Sequence, residues 1–105
     1  MARKDSIESG ELNDSAFYIL LSIISEKHGY LIMKNIQELT NNKVTIGPAS
    51  IYTTLKKLLS AELADVRIED NVKKYKITKK GYALLEQEIN RKKEMIKLAD
   101  YCMKN

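Results

Sequence analysis

The amino-acid sequence predicts an α+β, mostly helical fold, a winged helix-turn-helix followed by a long C-terminal dimerisation helix. Three observations carry that expectation. Ile46 to Leu58 reads as a short helix with one apolar edge and one hydroxyl-and-lysine edge. Leu63 to Ile77 holds two period-two runs around Glu69-Asp70-Asn71. From Lys79 almost to the end the pattern is helical, with no proline and, after Gly81, no glycine. The expected divisions are a loosely held N-terminal arm over 1–12, a winged helix-turn-helix domain over 13–78 and a dimerisation helix over 79–105.

In chain order, Asn13, Asp14 or Ser15 can cap a first helix reaching about Glu26, with Phe17, Leu20, Leu21 and Ile24 inward. Ile19 and Ile23 widen its apolar face, as in a helix sandwiched between two partners. Gly29 breaks the chain before a second helix, Tyr30 to about Thr40, with Ile32, Met33, Ile36 and Leu39 inward. Asn41-Asn42 supplies the turn. Pro48 then suits the first position of a third helix, after Gly47 as an acceptable cap. Ile51, Leu55, Leu58 and Leu59 form its inner stripe, leaving Ser50, Thr53, Thr54 and Lys57 outward.

Side chains of that kind and length can reach base edges and phosphates in a major groove, although a short polar-faced helix is also an ordinary solvated surface. The hairpin that follows adds weight to the first reading. Lys74 and Lys76 point outward on its second strand, with Lys73, Lys79 and Lys80 beside them. From Gly47 to Lys80 the cations Lys56, Lys57, Arg67, Lys73, Lys74, Lys76, Lys79 and Lys80 outnumber the anions Glu62, Asp65, Glu69 and Asp70 by 4, which equals the formal net charge of +4 of the whole chain. The excess therefore lies where a phosphate backbone would run. Lysines at strand edges also block sheet-to-sheet association, which accounts for some of them but not for their position beside the helix.

At 105 residues the chain is one domain with a modest core and no room for a separate catalytic lobe. No secretory signal and no bilayer-length apolar run is visible. Cys102 is the sole cysteine, which excludes an internal disulfide and a cysteine-based metal cluster. No cofactor or metal is expected, and the cytoplasm is the natural compartment. His28 and Cys102 sit on separate elements with no orienting third group, so no catalytic residue is assigned.

Along the final helix Tyr82, Leu85, Ile89, Ile96, Ala99 and Met103 lie close to a heptad seam, interrupted by Lys92. A seam of this length calls for a second copy, with Phe17 and Leu20 of the first helix as its counterpart. A two-fold dimer would place two recognition helices about one DNA turn apart. The alternative is a helix folded back on its own domain.

His28-Gly29-Tyr30 with Ile32 and Met33, then Ser50 to Leu58, then Lys74-Tyr75-Lys76-Ile77-Thr78-Lys79-Lys80-Gly81 together resemble the signature of the PadR family of transcriptional regulators. The resemblance runs from about Asp14 to the end. It implies a dimeric winged-helix repressor of the small subgroup with a single C-terminal dimerisation helix. It further implies that Tyr52 and its hydroxyl neighbours, with the wing lysines, contact an inverted-repeat operator in double-stranded DNA. The family's wing usually has Arg and two aromatics where Lys74-Tyr75-Lys76 stands, and a proline often follows the tyrosine where this chain has Thr53. Some relatives sense flat drugs through a C-terminal tryptophan, but this chain has no Trp. Phe17, Met95 and Tyr101, with Cys102 and Met103, are candidates to line a small-molecule effector space between subunits, or they simply fill a dimer core.

The expected function is a sequence-specific DNA-binding repressor, not an enzyme. Its contacts would be Ser50, Tyr52, Thr53, Thr54, Lys56, Lys57, Lys73, Lys74 and Lys76, and its dimer contacts Phe17, Leu20, Leu85, Ile89, Ile96, Ala99 and Met103. The alternative is a winged-helix module whose basic surface docks an acidic protein without reading sequence.

Overall fold

The computed structural model describes residues 12–105. The expected arm lies outside the described residues except for Leu12, which is buried in the core and so is not part of a loose segment. Seven elements follow in order: α1 (Asp14–Ser22), β1 (Lys27–His28), α2 (Gly29–Leu39), α3 (Pro48–Ser60), β2 (Ala64–Glu69), β3 (Val72–Ile77) and α4 (Lys79–Lys104).

Among the three candidate caps of α1 the structure selects Asn13, whose side-chain oxygen accepts the Ala16 N–H at 2.8 Å. The helix stops at Ser22, four residues short of the expected end. Its continuation is recruited by the sheet instead, since the Ile23 carbonyl accepts the Ile77 N–H at 2.9 Å and the chain then enters β1. The inner face is also rotated from expectation. Ala16, Ile19, Leu20 and Ile23 are fully buried, while Phe17 and Leu21 are half-buried and Ile24 is exposed.

In α2 the buried stripe is Gly29, Ile32 and Ile36. Met33 is half-buried, and Leu39 faces solvent rather than the core. The helix ends as the Asn42 and Asn41 N–H groups donate back to Gln37 and Glu38 carbonyls, with both asparagines at positive φ. In α3 Gly47 is the cap and Pro48 opens the helix. Ile51, Leu55 and Leu58 are buried and Leu59 is half-buried. Its end repeats the same motif with Glu62 at φ 61°, where glycine would be unstrained.

The sheet has the order β1-β3-β2, all antiparallel. The hairpin is closed by Asp70 and Asn71, both at positive φ, the twist-matched form of a two-residue connection. Its register sets Ala64 opposite Ile77, Val66 opposite Tyr75, Arg67 opposite Lys74 and Ile68 opposite Lys73.

Thr78 locks the wing to α4. Its hydroxyl accepts the Gly81 N–H at 3.0 Å and donates to the Glu62 carbonyl at 2.7 Å, while its N–H donates to the Leu63 carbonyl at 3.1 Å. Gly81 is needed at this junction, because a Cβ there would lie 2.1 Å from the Leu63 carbonyl oxygen. The first half of α4 therefore belongs to the domain, with Leu85 and Glu88 buried. From Lys93 onward every residue is exposed.

Candidate nucleic-acid interface

On α3 the structure exposes Ser50, Tyr52, Thr53, Lys56 and Lys57, and half-buries Thr54, which the sequence placed outward. Tyr52 has a second attachment. A Cβ on Gly29 would meet its hydroxyl at 2.9 Å and Tyr75 Cε2 at 3.1 Å, so Tyr52 lies over the first residue of α2 and beside Tyr75. Burial, and then the neighbouring Tyr52, raise the Tyr75 phenol above its usual range. Gly29 thus serves close packing between two aromatic rings, a role beyond breaking the chain. A small cavity of about 110 Å³, lined by Gly29, Tyr30, Met33, Pro48, Ile51 and Tyr52, opens beside this contact. His28 caps α2 without a side-chain hydrogen bond, and its Nδ1 is buried and unsatisfied.

The wing lysines divide between the two faces of the sheet. Residues directly opposite across an antiparallel pair share a face, and neighbours along a strand alternate. Lys73 therefore shares the face of Ile68, Val66 and the buried Tyr75. Lys74 and Lys76 occupy the other face with Arg67 and Asp65. That face carries an ion-pair lattice. Arg67 Nε and Nη2 donate to the two oxygens of Glu26 at 2.6 and 2.7 Å, its Nη1 donates to Glu69, and Lys74 Nζ donates to Glu69 at 2.8 Å. Lys74, and then Arg67, pull the Glu69 carboxyl down to about 2; Arg67 likewise lowers Glu26.

Of the wing residues assigned to contacts, then, Lys73 and Lys76 are exposed, and Lys73 holds no ion pair with another described residue. Lys74 is held within the lattice with only 20% of its side chain exposed. Sequence reasoning missed Glu26 and Glu69. A two-residue turn would have put Glu69 within reach of Lys74, whereas Glu26 lies 41 positions from Arg67 and leaves no local signal.

Residues 19–87 match the transcriptional regulator PadR-like family. The chain belongs to this family. It is 37% identical over 72 residues to the transcriptional regulator YqjI of Escherichia coli (strain K12), an alignment covering 66% of this chain and 35% of that protein. The chain thus spans about a third of the length of the curated relatives it matches. Among solved structures it resembles a transcriptional regulator from Clostridium thermocellum, with TM-score 0.74, 19% identity, and 92% of this chain and 97% of that one covered. It also resembles F93 from STIV, a winged-helix DNA-binding protein, with TM-score 0.70, 14% identity and coverage of 90% and 96%. The winged-helix fold expected from the residues is therefore shown, and with it the PadR-like assignment.

Within this PadR-like chain the residues assigned to dimer contact separate into two groups. Leu20 and Leu85 are packed in the protomer's own core, 0% and 2% exposed, and offer no surface to a second copy. This corrects their assignment: an apolar residue near a helix seam can serve either core, and here the domain takes both. Phe17 and Ile89 are half-buried, and Ile96, Ala99 and Met103 are exposed. Lys92, which interrupts the seam, lies 5.1 Å from the Phe17 ring centroid as a cation over its face. The candidate effector-lining residues are not brought together within one protomer, since Phe17 sits under Lys92 while Met95 and Tyr101 lie on the projecting half of α4. No helix among the described residues is long and apolar enough to cross a membrane.

Proposed function

We propose that this chain is a homodimeric, sequence-specific DNA-binding regulator that represses transcription from an inverted-repeat operator, without catalysis, in the cytoplasm. The observation that carries the reading is the exposed α3 face of Ser50, Tyr52, Thr53, Lys56 and Lys57, set beside a basic wing in a PadR-like winged helix. The α3 hydroxyls and lysines enter the major groove, Thr54 supports them from a half-buried position, and Lys73 and Lys76 meet the flanking backbone. Residues 13–78 form the DNA-binding domain. Beyond Lys92, Ile96, Ala99 and Met103 pair with a second copy, joined by Phe17 and Ile89 at the edge of the domain. A small molecule enclosed between the projecting halves, against Phe17, Met95 and Tyr101, is the corresponding reading for an effector.

The test titrates the purified protein against its own upstream promoter and a scrambled duplex of equal length near physiological salt. A preference of roughly a thousandfold or more for the promoter is expected. With some six to ten phosphates engaged, affinity falls by about a thousandfold or more between 50 and 200 mM salt. Salt-sensitive binding without any preference would favour the protein-docking alternative, in which the basic face meets an acidic partner.

A further inference from the structure

The lattice on the outer face of the wing joins Glu26, Arg67, Glu69 and Lys74. Glu26 and Glu69 balance Arg67 and Lys74 charge for charge, so the network is neutral. Two of the cations that make the segment from Gly47 to Lys80 basic are thereby paired with the chain's own carboxylates at its surface. Glu69 is the hub, holding Lys74 through one oxygen and Arg67 through the other. It is also the last residue of β2, beside the turn of Asp70 and Asn71, at the end of the wing that projects farthest from the sheet's junction with α4.

We propose that Glu69 is a charge-masking residue, which keeps Lys74 and one arm of Arg67 off the phosphate backbone and so sets the sequence-independent affinity of the wing. The inference rests on the DNA reading above. Its chemistry is competition between carboxylate and phosphate for the same donors. A lysine ammonium already bonded to Glu69 releases few counterions on meeting DNA, and the carboxylate that stays behind repels an approaching phosphate. The advantage is in search. A regulator faces on the order of a million or more competing non-specific sites, so a wing that is cationic everywhere would be held on random DNA. Here Lys73 and Lys76 remain available while Lys74 is withheld.

The test compares Glu69→Gln with Asp70→Asn on a random duplex, from 50 to 200 mM salt. Both remove one negative charge from the same turn region, but among the described residues Asp70 holds none of the lattice cations. Freeing one lysine per protomer adds two phosphate contacts per dimer. The salt slope of Glu69→Gln should steepen by about 2, and affinity at 0.1 M salt should rise by up to roughly sixtyfold. Asp70→Asn should shift affinity a few-fold and leave the slope alone. Equal effects of the two variants, or weaker binding by Glu69→Gln, overturn the proposal. Wild-type binding to the promoter, measured alongside, reports on the DNA reading by itself. If the wild type prefers its promoter and Glu69→Gln gains nothing, only the masking role falls. If neither protein binds any duplex, both readings fall. A melt of each variant establishes that the wing is folded in the comparison.

Discussion

Replacing Gly81 by alanine inserts one methyl group where the structure has no room for it. An ideal Cβ would lie 2.1 Å from the Leu63 carbonyl oxygen, 2.9 Å from Ile77 Cγ1 and 3.0 Å from the Leu63 carbonyl carbon. Separations near 3.4 Å are ordinary for such contacts, so helix and hairpin base must part by about an ångström. They are not free to do so. The same Leu63 carbonyl accepts the Thr78 N–H at 3.1 Å, and the Thr78 hydroxyl joins Gly81 N–H to the Glu62 carbonyl. Overpacking costs about 1–3 kcal/mol, and loss of one or two of these hydrogen bonds adds about 1 kcal/mol each. Alanine returns about 1 kcal/mol in helix propensity. The net is a loss of about 1–4 kcal/mol, or roughly 5–30 °C in Tm for a domain of this size. Urea unfolding followed by helical circular dichroism, at fixed protein concentration, measures it. Ala83→Gly, at an exposed position of the same helix turn, is the control, with a loss of only about 1 kcal/mol. A Gly81→Ala protein as stable as wild type would refute the close approach on which the wing's attachment to α4 depends.

Gly29→Ala probes the link from packing to recognition. The added methyl meets the Tyr52 hydroxyl at 2.9 Å and Cε2 of the buried Tyr75 at 3.1 Å; half-exposed Tyr52 can swing away, and Tyr75 then has to give by only a few tenths of an ångström. Stability should change by less than about 1 kcal/mol while promoter affinity falls tenfold or more; unchanged affinity would remove Tyr52 from the contact set. For pH, Glu69 is lowered from 4.5 to about 2 and Glu88 is lowered by its bidentate pairing with Arg91. A carboxylate whose folded pKa is depressed adds stability that is complete above about pH 4.5 and is lost as pH falls toward 2. Urea midpoints between pH 5 and 2.5 should fall for wild type and fall less for Glu88→Gln, whose starting value is already lower. Parallel curves would show that Glu88 gains nothing from the fold.

The elements legible in the sequence are those with their own local signals. Pro48 after Gly47 opens α3, a polar turn between alternating runs makes the wing, although Glu69 ends β2 rather than entering the turn, and the stretch after Gly81 has no breaker to stop α4. What escaped is what depends on a distant partner. β1 is two residues long and exists because β3 lies beside it. The same pairing truncates α1, since Ile23 gives its carbonyl to Ile77 instead of continuing the helix. The inner face of α1 was misjudged because apolar residues surround it, so a period of 3.6 fits more than one stripe. For Lys74 the sequence shows a cation and an outward direction, and the pairing with Glu69 follows only once the turn is two residues long and the strands are in register.

The two halves of α4 divide the apolar stripe that the sequence shows, one half serving the domain's own core and the other facing solvent. Up to Lys92 the helix is a structural strut, with Gly81 pressed against the hairpin, Leu85 in the core and Glu88 buried under its Arg91 partner. Past Lys92 it leaves the domain, and Met95, Ile96, Leu98, Tyr101 and Met103 are each more than half exposed. Twelve residues extend about 18 Å from the body. A free helical segment of that length is marginal in water, and an exposed apolar surface of this kind ordinarily marks a contact. The strut ties the projecting half to the base of the hairpin, through Gly81, Thr78 and Leu63. On the proposed reading, a second copy covering the projection would therefore set the separation of two recognition helices. Any loosening at Gly81 would then be felt in operator spacing as well as in stability.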